Sequence, residues 1–157
     1  MPKGRVYMAA NASATDVREM KMGLSMVSSV AAGVGMSFKD TSTALALFAQ
    51  NGLKSSDAGT SLKTMLLNLS PSTKEASEQM VALGLQTKQG ASIFYDAHGS
   101  LKSMSEIAEI LKTKLAKLTD EQRQMALKTM FGTDAIRAAN ILYREGSKGI
   151  NEMNEAL

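Results

Sequence analysis

The chain has no cysteine and no tryptophan, two prolines and a single histidine. Without cysteine it can form neither a disulfide nor a thiolate metal site, which suits a reducing cytosol. With one histidine, a nucleophile–base–orienter triad has only His98 to draw on, and the adjacent Gly99 marks that residue as an exposed turn position. Metal binding needs clustered His, Asp or Glu, and here the acids are dispersed. Aromatic residues make up 4% of the chain, so aromatic rings are not the bulk of its core. A formal charge of +3 on 157 residues is too small to mark a nucleic-acid footprint. The N-terminus, MPKGRVYMAANASATD, lacks an apolar stretch of secretory-signal length.

What the chain does hold is ordinary in amount and distinctive in kind. Hydrophobic residues are 44% and charged residues 21%, as in a soluble domain of a size that buries a real core. Methionine is abundant at 12 residues, and its flexible side chain fills irregular gaps between helices. No internal repeat of fixed period and no low-complexity linker is visible.

The periodicity predicts an all-α single domain of seven or eight short helices, with one small β-hairpin near residues 92–101. The first helix is expected from Asp16 to about Ala32, capped by Thr15 or Ser13 and ended by Gly33 and Gly35. Val17, Met20, Leu24, Val27, Ala31 and Val34 form a helix-pair seam. Met22, Met26 and Val30 make a second stripe that predicts cover on two sides. Ser37-Phe38-Lys39-Asp40 reads as a capping box opening a helix with Leu45, Phe48 and Ala49 on one face, stopped at Asn51-Gly52. Ser55 or Ser56 is expected to cap the next helix, whose stripe is Ala58, Leu62, Met65, Leu66 and Leu69. Pro71 precedes a capping box at Ser72-Thr73-Lys74-Glu75, and Gly84 closes that helix. Ile93-Phe94-Tyr95 followed by Asp96-Ala97-His98-Gly99 supplies the hairpin reading. Further boxes start at Ser103 and Thr119; Gly132 stops the latter helix, Thr133 caps another, and Gly146 closes it. By domain the reading is a flexible segment over 1–12, a helical unit over 13–146, and over 147–157 the start of a further helix that breaks off in mid-pattern. Glycines 52, 84, 132 and 146 read as helix stops, with hinges as the alternative.

No catalytic, cofactor-binding or metal site is expected. Asp120 and Glu121 are first-turn acids favoured by the helix dipole. Lys112, Lys114 and Lys117, interleaved with Glu106 and Glu109, read as a solvated helix face. The stretch Gly52 to Thr60 fails the phosphate-loop pattern, because no lysine follows Gly59 and a helix precedes it. Two alternatives to a purely structural role stand. Met22 to Phe38 carries no charge and could be a membrane-active helix, though its serines and glycines favour close helix packing. The second and third helices have helix-turn-helix lengths, but Asp57 at the start of the would-be recognition helix opposes phosphate contact.

Four ordered segments carry a family resemblance. They are Asn51-Gly52-Leu53-Lys54-Ser55-Ser56-Asp57-Ala58-Gly59-Thr60-Ser61-Leu62 with its continuation Met65-Leu66 to Pro71-Ser72, then Leu83-Gly84-Leu85 with Phe94 to Leu101, Leu118 to Arg123, and Met130-Phe131-Gly132-Thr133-Asp134-Ala135. Together they resemble the core region of phage tail tape measure proteins. The likeness covers most of residues 10–145, departing in a longer Gln86–Ser92 insertion and in total length, so the chain looks like an excised core domain or a prophage remnant. The resemblance implies a non-enzymatic structural domain acting in tail assembly and tail-length determination, and in DNA ejection. It implies partners among tail tube, tail-tip and tail assembly chaperone proteins, self-association, and transient host-membrane contact, without sequence-specific nucleic-acid binding. The implied location is the virion tail interior, and the host cytoplasm during assembly.

Overall fold

A computed structural model describes residues 16–157. Its elements, in chain order, are α1 (Val17–Val34), α2 (Phe38–Gln50), α3 (Ser55–Leu67), α4 (Lys74–Ala82), α5 (Met104–Lys114), α6 (Asp120–Phe131), a single 3-10 turn (Thr133–Ala135) and α7 (Ile136–Ala156). The all-α class is as expected. The segment 1–12 and the expected caps Ser13 and Thr15 lie outside the described residues; the N-cap of α1 is Asp16, which forms a reciprocal capping box with Glu19.

The helix at the centre is α2. Thr41 through Ala49 are buried without interruption, so the one-faced helix expected from Leu45, Phe48 and Ala49 is instead covered all round. Its composition allows this. Thr41, Ser42, Thr43, Ala44, Ala46 and Ala49 are small, and α1, α3, α5 and α7 all pack against it. The buried hydroxyls of Thr41 and Thr43 donate to the Ser37 and Lys39 carbonyls one turn back, at 2.9 and 2.8 Å. A polar group satisfied this way no longer opposes burial.

The most extensive helix–helix contact is between α1 and α3, and glycine sets its closeness. A Cβ on Gly59 would overlap the Gly23 carbonyl and lie 2.7 Å from Met26 Cβ. One on Gly23 would sit 3.0 Å from the Ser55 carbonyl oxygen. The two backbones therefore touch. Ser55 takes up the close approach with φ at +60°, a left-handed conformation that costs a non-glycine residue roughly 1 kcal/mol. This corrects the expected cap: Lys54 is the N-cap of α3, with no side-chain hydrogen bond, and the Ser55 hydroxyl lies 3.5 Å from Met22 Sδ. The seam residues Met20, Leu24, Val27 and Ala31 are buried as expected. The second stripe departs from expectation: Met22 and Met26 touch α3 only at the rim of the crossing and are 42% and 38% exposed.

Three further corrections concern ends and turns. No hairpin forms over 92–101. Among the described residues there are two isolated bridges, Gln86 with Ser92 and Tyr95 with Leu101. Phe94 is fully buried and packs its ring 6.2 Å from that of Phe131. With Phe94 anchored, Ile93 N–H donates back to Leu85 O and Lys102 N–H to Phe94 O, so the segment makes two successive tight loops and no paired ladder. For α4 the cap is Thr73, one residue later than the box read from Ser72; its Oγ1 accepts from Ala76 N–H at 3.0 Å. Thr133 does not cap α7. It opens the 3-10 turn, and α7 receives no cap from its own N-cap residue, Ala135. Gly146, by contrast, closes its helix as expected (φ 63°, ψ −166°), and a further helix starts directly beyond it, so α7 is two helices, over 136–145 and 147–156, that meet at this break.

The α1–α3 crossing yields a paired test. Gly59→Ala should destabilise the fold by about 1–3 kcal/mol or more through overpacking, despite alanine's higher helix propensity. Gly33→Ala, in the same helix as Gly23 but with nothing within 4 Å, should stabilise by roughly 0.5–1 kcal/mol. Urea midpoints of the two variants check both signs.

Candidate functional site

Polar side chains in this molecule are positioned by helix ends. Ser37, Ser103 and Thr119 accept from the N3 amides of α2, α5 and α6, and in α5 and α6 Glu106 and Gln122 complete the box. Asp40 departs from the expected box in an informative way. Its Oδ2 accepts from Met104 N–H at 2.9 Å, so an acid in the first turn of α2 satisfies an orphan amide of α5. Ser61 does the same for α7: buried in α3, its Oγ accepts from Ala138 N–H at 3.1 Å. Asn68, just past α3, donates from Nδ2 to Phe131 O at 3.0 Å, tying down the end of α6. Sequence periodicity does not reveal these three links, because each spans at least sixty residues.

The loop at Asp96 is built likewise. Asp96 Oδ1 accepts from His98 N–H at 2.9 Å and Ser100 N–H at 3.0 Å, and Gly99 adopts φ +79°. Such an aspartate turn holds its own backbone. His98 is exposed at its tip, as expected. On α6, Arg123 forms an ion pair with Asp120 at 3.0 Å and lies 4.4 Å above the Tyr143 ring of α7. Asn140 extends this contact by donating to Gln124 Oε1 at 2.9 Å.

Among the described residues, a carboxylate perturbed by its surroundings sits at the α7 break. Glu109, on α5, accepts at Oε1 from both Ser147 Oγ (2.9 Å) and Ser147 N–H (3.2 Å). These bonds, the hydroxyl's first, with a smaller contribution from Lys112, hold its carboxyl below the usual carboxylate range. Lys112 Nζ lies 3.5 Å from Arg144 O on the other side of the break. The face expected to be merely solvated is thus partly engaged, while Lys114 and Lys117 are exposed.

The structure does not bring the other candidate features together into a site. Among the described residues no group of three or more His, Asp or Glu is placed to hold a metal ion. No helix among them is long and apolar enough to cross a membrane, α1 with its Met22-to-Phe38 stretch included. The helix-turn-helix pair is enclosed: α2 is buried, and α3 lies against α1, α7 and the 3-10 turn.

Fold and side chains together define a helical packing module, in which conspicuous residues shape backbone and helix ends. Residues 5–132 match the phage-related minor tail protein family, and the chain belongs to it. It is 31% identical over 153 residues to the tape measure protein of Pneumococcus phage Dp-1, covering 98% of this chain and 12% of that protein. It is 26% identical over 144 residues to the probable tape measure protein of Escherichia phage P2, covering 90% of this chain and 17% of that protein. The chain therefore spans well under a fifth of the length of either relative. No solved structure matches it.

Two outcomes follow from this geometry. Ser61→Ala should cost about 1–3 kcal/mol, the penalty of stranding a buried amide, and a urea titration measures it. Glu109 has a depressed folded-state pKa, so its contribution to stability is complete above roughly pH 4.3, the unfolded value. That contribution is lost as pH falls through the lower folded value. Glu109→Gln should accordingly flatten the acid limb of stability against pH, and thermal melts from pH 2 to 7 check the slope.

Proposed function

We propose that this chain is a non-enzymatic structural segment of a phage tail tape measure protein, acting in tail assembly and tail-length determination and in DNA ejection. The observation that carries the reading is the likeness to a tape measure protein along 98% of the chain. Supporting it, the stretches that resemble the family are those that build the scaffold. Gly59 sets the α1–α3 crossing, Ser61 caps α7, Asp96 and Gly99 form the loop, and Phe131 and Gly132 end α6. Since the chain corresponds to 12% and 17% of its relatives, it is one module of a longer ruler, and length is set by the parent chain as a whole. The unit over 13–146, followed by a further helical segment, is the domain division we assign to it.

In this reading the partners are tail tube, tail-tip and tail assembly chaperone proteins, with self-association and transient host-membrane contact. The location is the tail interior of the virion, and the host cytoplasm during assembly. The test is deletion of this region in frame from the parent phage, followed by electron microscopy of the particles. Missing or aberrant tails are expected; normal, infectious particles would overturn the proposal.

A further inference from the structure

Asn51 is the only asparagine of the chain that a glycine follows, and that pairing carries a chemistry of its own. The amide nitrogen after an asparagine can attack the side-chain carbonyl carbon, and glycine, lacking a Cβ, leaves the approach open. In that reaction the bond from Gly52 N to Asn51 Cγ forms, the Cγ–Nδ2 bond breaks, and ammonia leaves a five-membered imide. Water then opens the ring, its hydroxyl going to one carbonyl carbon and its proton to nitrogen, giving aspartate or isoaspartate. The glycine stop of α2 is thus also a chemically labile position.

The fold opposes each requirement of the reaction. The Gly52 nitrogen nears the side chain only when it eclipses Cβ about the Cα–C bond, which tetrahedral geometry places at a ψ of about 120° in magnitude. Asn51 sits at φ −100° and ψ 15°, where that nitrogen eclipses the nitrogen of Asn51 instead. The nucleophile is also occupied. Gly52 N–H donates to Ala49 O at 3.1 Å, and attack requires the nitrogen without that proton. The electrophile is held as well, since Asn51 Nδ2 donates to Leu47 O at 2.9 Å and Arg144 Nη2 lies 3.4 Å from Oδ1. Beyond the corner, buried Leu53 donates its N–H to Phe48 O at 2.9 Å, which fixes the turn from its far side.

The products fit this corner poorly. A carboxylate at position 51 has no proton to give the Leu47 carbonyl, and it adds negative charge at the negative end of α2. Isoaspartate puts an extra methylene into the main chain between Phe48 and Leu53, which the turn holds together.

We propose that Asn51-Gly52 is a deamidation site that the folded domain keeps closed, so that aspartate or isoaspartate at 51 accumulates only in chains whose α2 end has come apart. The inference rests on this geometry alone and is independent of the tail assignment.

The test follows Asn51 by peptide mass spectrometry in the full chain, incubated in mildly alkaline buffer across a urea series, with a synthetic peptide of residues 47–57 as reference. Conversion should be at least about tenfold slower in the native protein than in the peptide, and should rise with the unfolded fraction. A native rate within about twofold of the peptide's overturns the proposal, as does a rate that stays constant through the unfolding transition. Asn51→Asp, which installs one product directly, should lower the urea midpoint or prevent folding. An unchanged or higher midpoint overturns the claim that the corner rejects the product.

Discussion

The contact between the backbones of Gly23 and Gly59 governs the layout of this domain. Any side chain at Gly59 would overlap the Gly23 carbonyl, so α1 and α3 can meet at this distance only because both positions lack a Cβ. Dispersion contacts fall away quickly with separation, and a crossing this close multiplies them along both helices. Much else follows from it. The Ser55 carbonyl is brought against Gly23, with Ser55 itself left-handed. The connecting helix α2, lying against both α1 and α3, is drawn into the interior. It tolerates that position because Thr41 to Thr43, Ala44, Ala46 and Ala49 present little volume.

Around this crossing, the unpaired amides of one helix are repeatedly satisfied by a side chain from another. Asp40 serves Met104, Ser61 serves Ala138, and Glu109 serves Ser147. Each such bond stabilises a helix end and fixes how two helices meet, so orientation and termination are decided together. In a chain without cysteine and with few aromatic rings, these polar links give the methionine-rich core a specificity that flexible side chains alone do not supply. A module of this kind is consistent with membership of a phage-related minor tail protein family. The family-like segments coincide with a helix crossing, a loop and two helix ends.

Much of the fold was legible in the chain itself. Capping boxes at Ser103 and Thr119, the glycine stops at 52, 84 and 132, and the α1 seam all follow from short-range pattern, and all are present. Expectations failed where a distant partner outweighed local preference. The run Ile93-Phe94-Tyr95 favours a strand, but burial of Phe94 against Phe131 makes a loop of it. Ser55 is a good cap by type, yet the approach of α1 turns its backbone left-handed. Met22 and Met26 look like core residues, but they lie at the rim of the α1–α3 contact and stay part-exposed.

What the sequence by itself determined was the set of helices and most of their ends. Those depend on interactions within four residues, where side-chain type and spacing are sufficient. The tertiary structure alone decided which helix is central, which glycines are contact points, and how α5 holds the two sides of the break at Gly146. Those outcomes depend on excluded volume and electrostatics between segments far apart in the chain, and a linear pattern holds no measure of such distances.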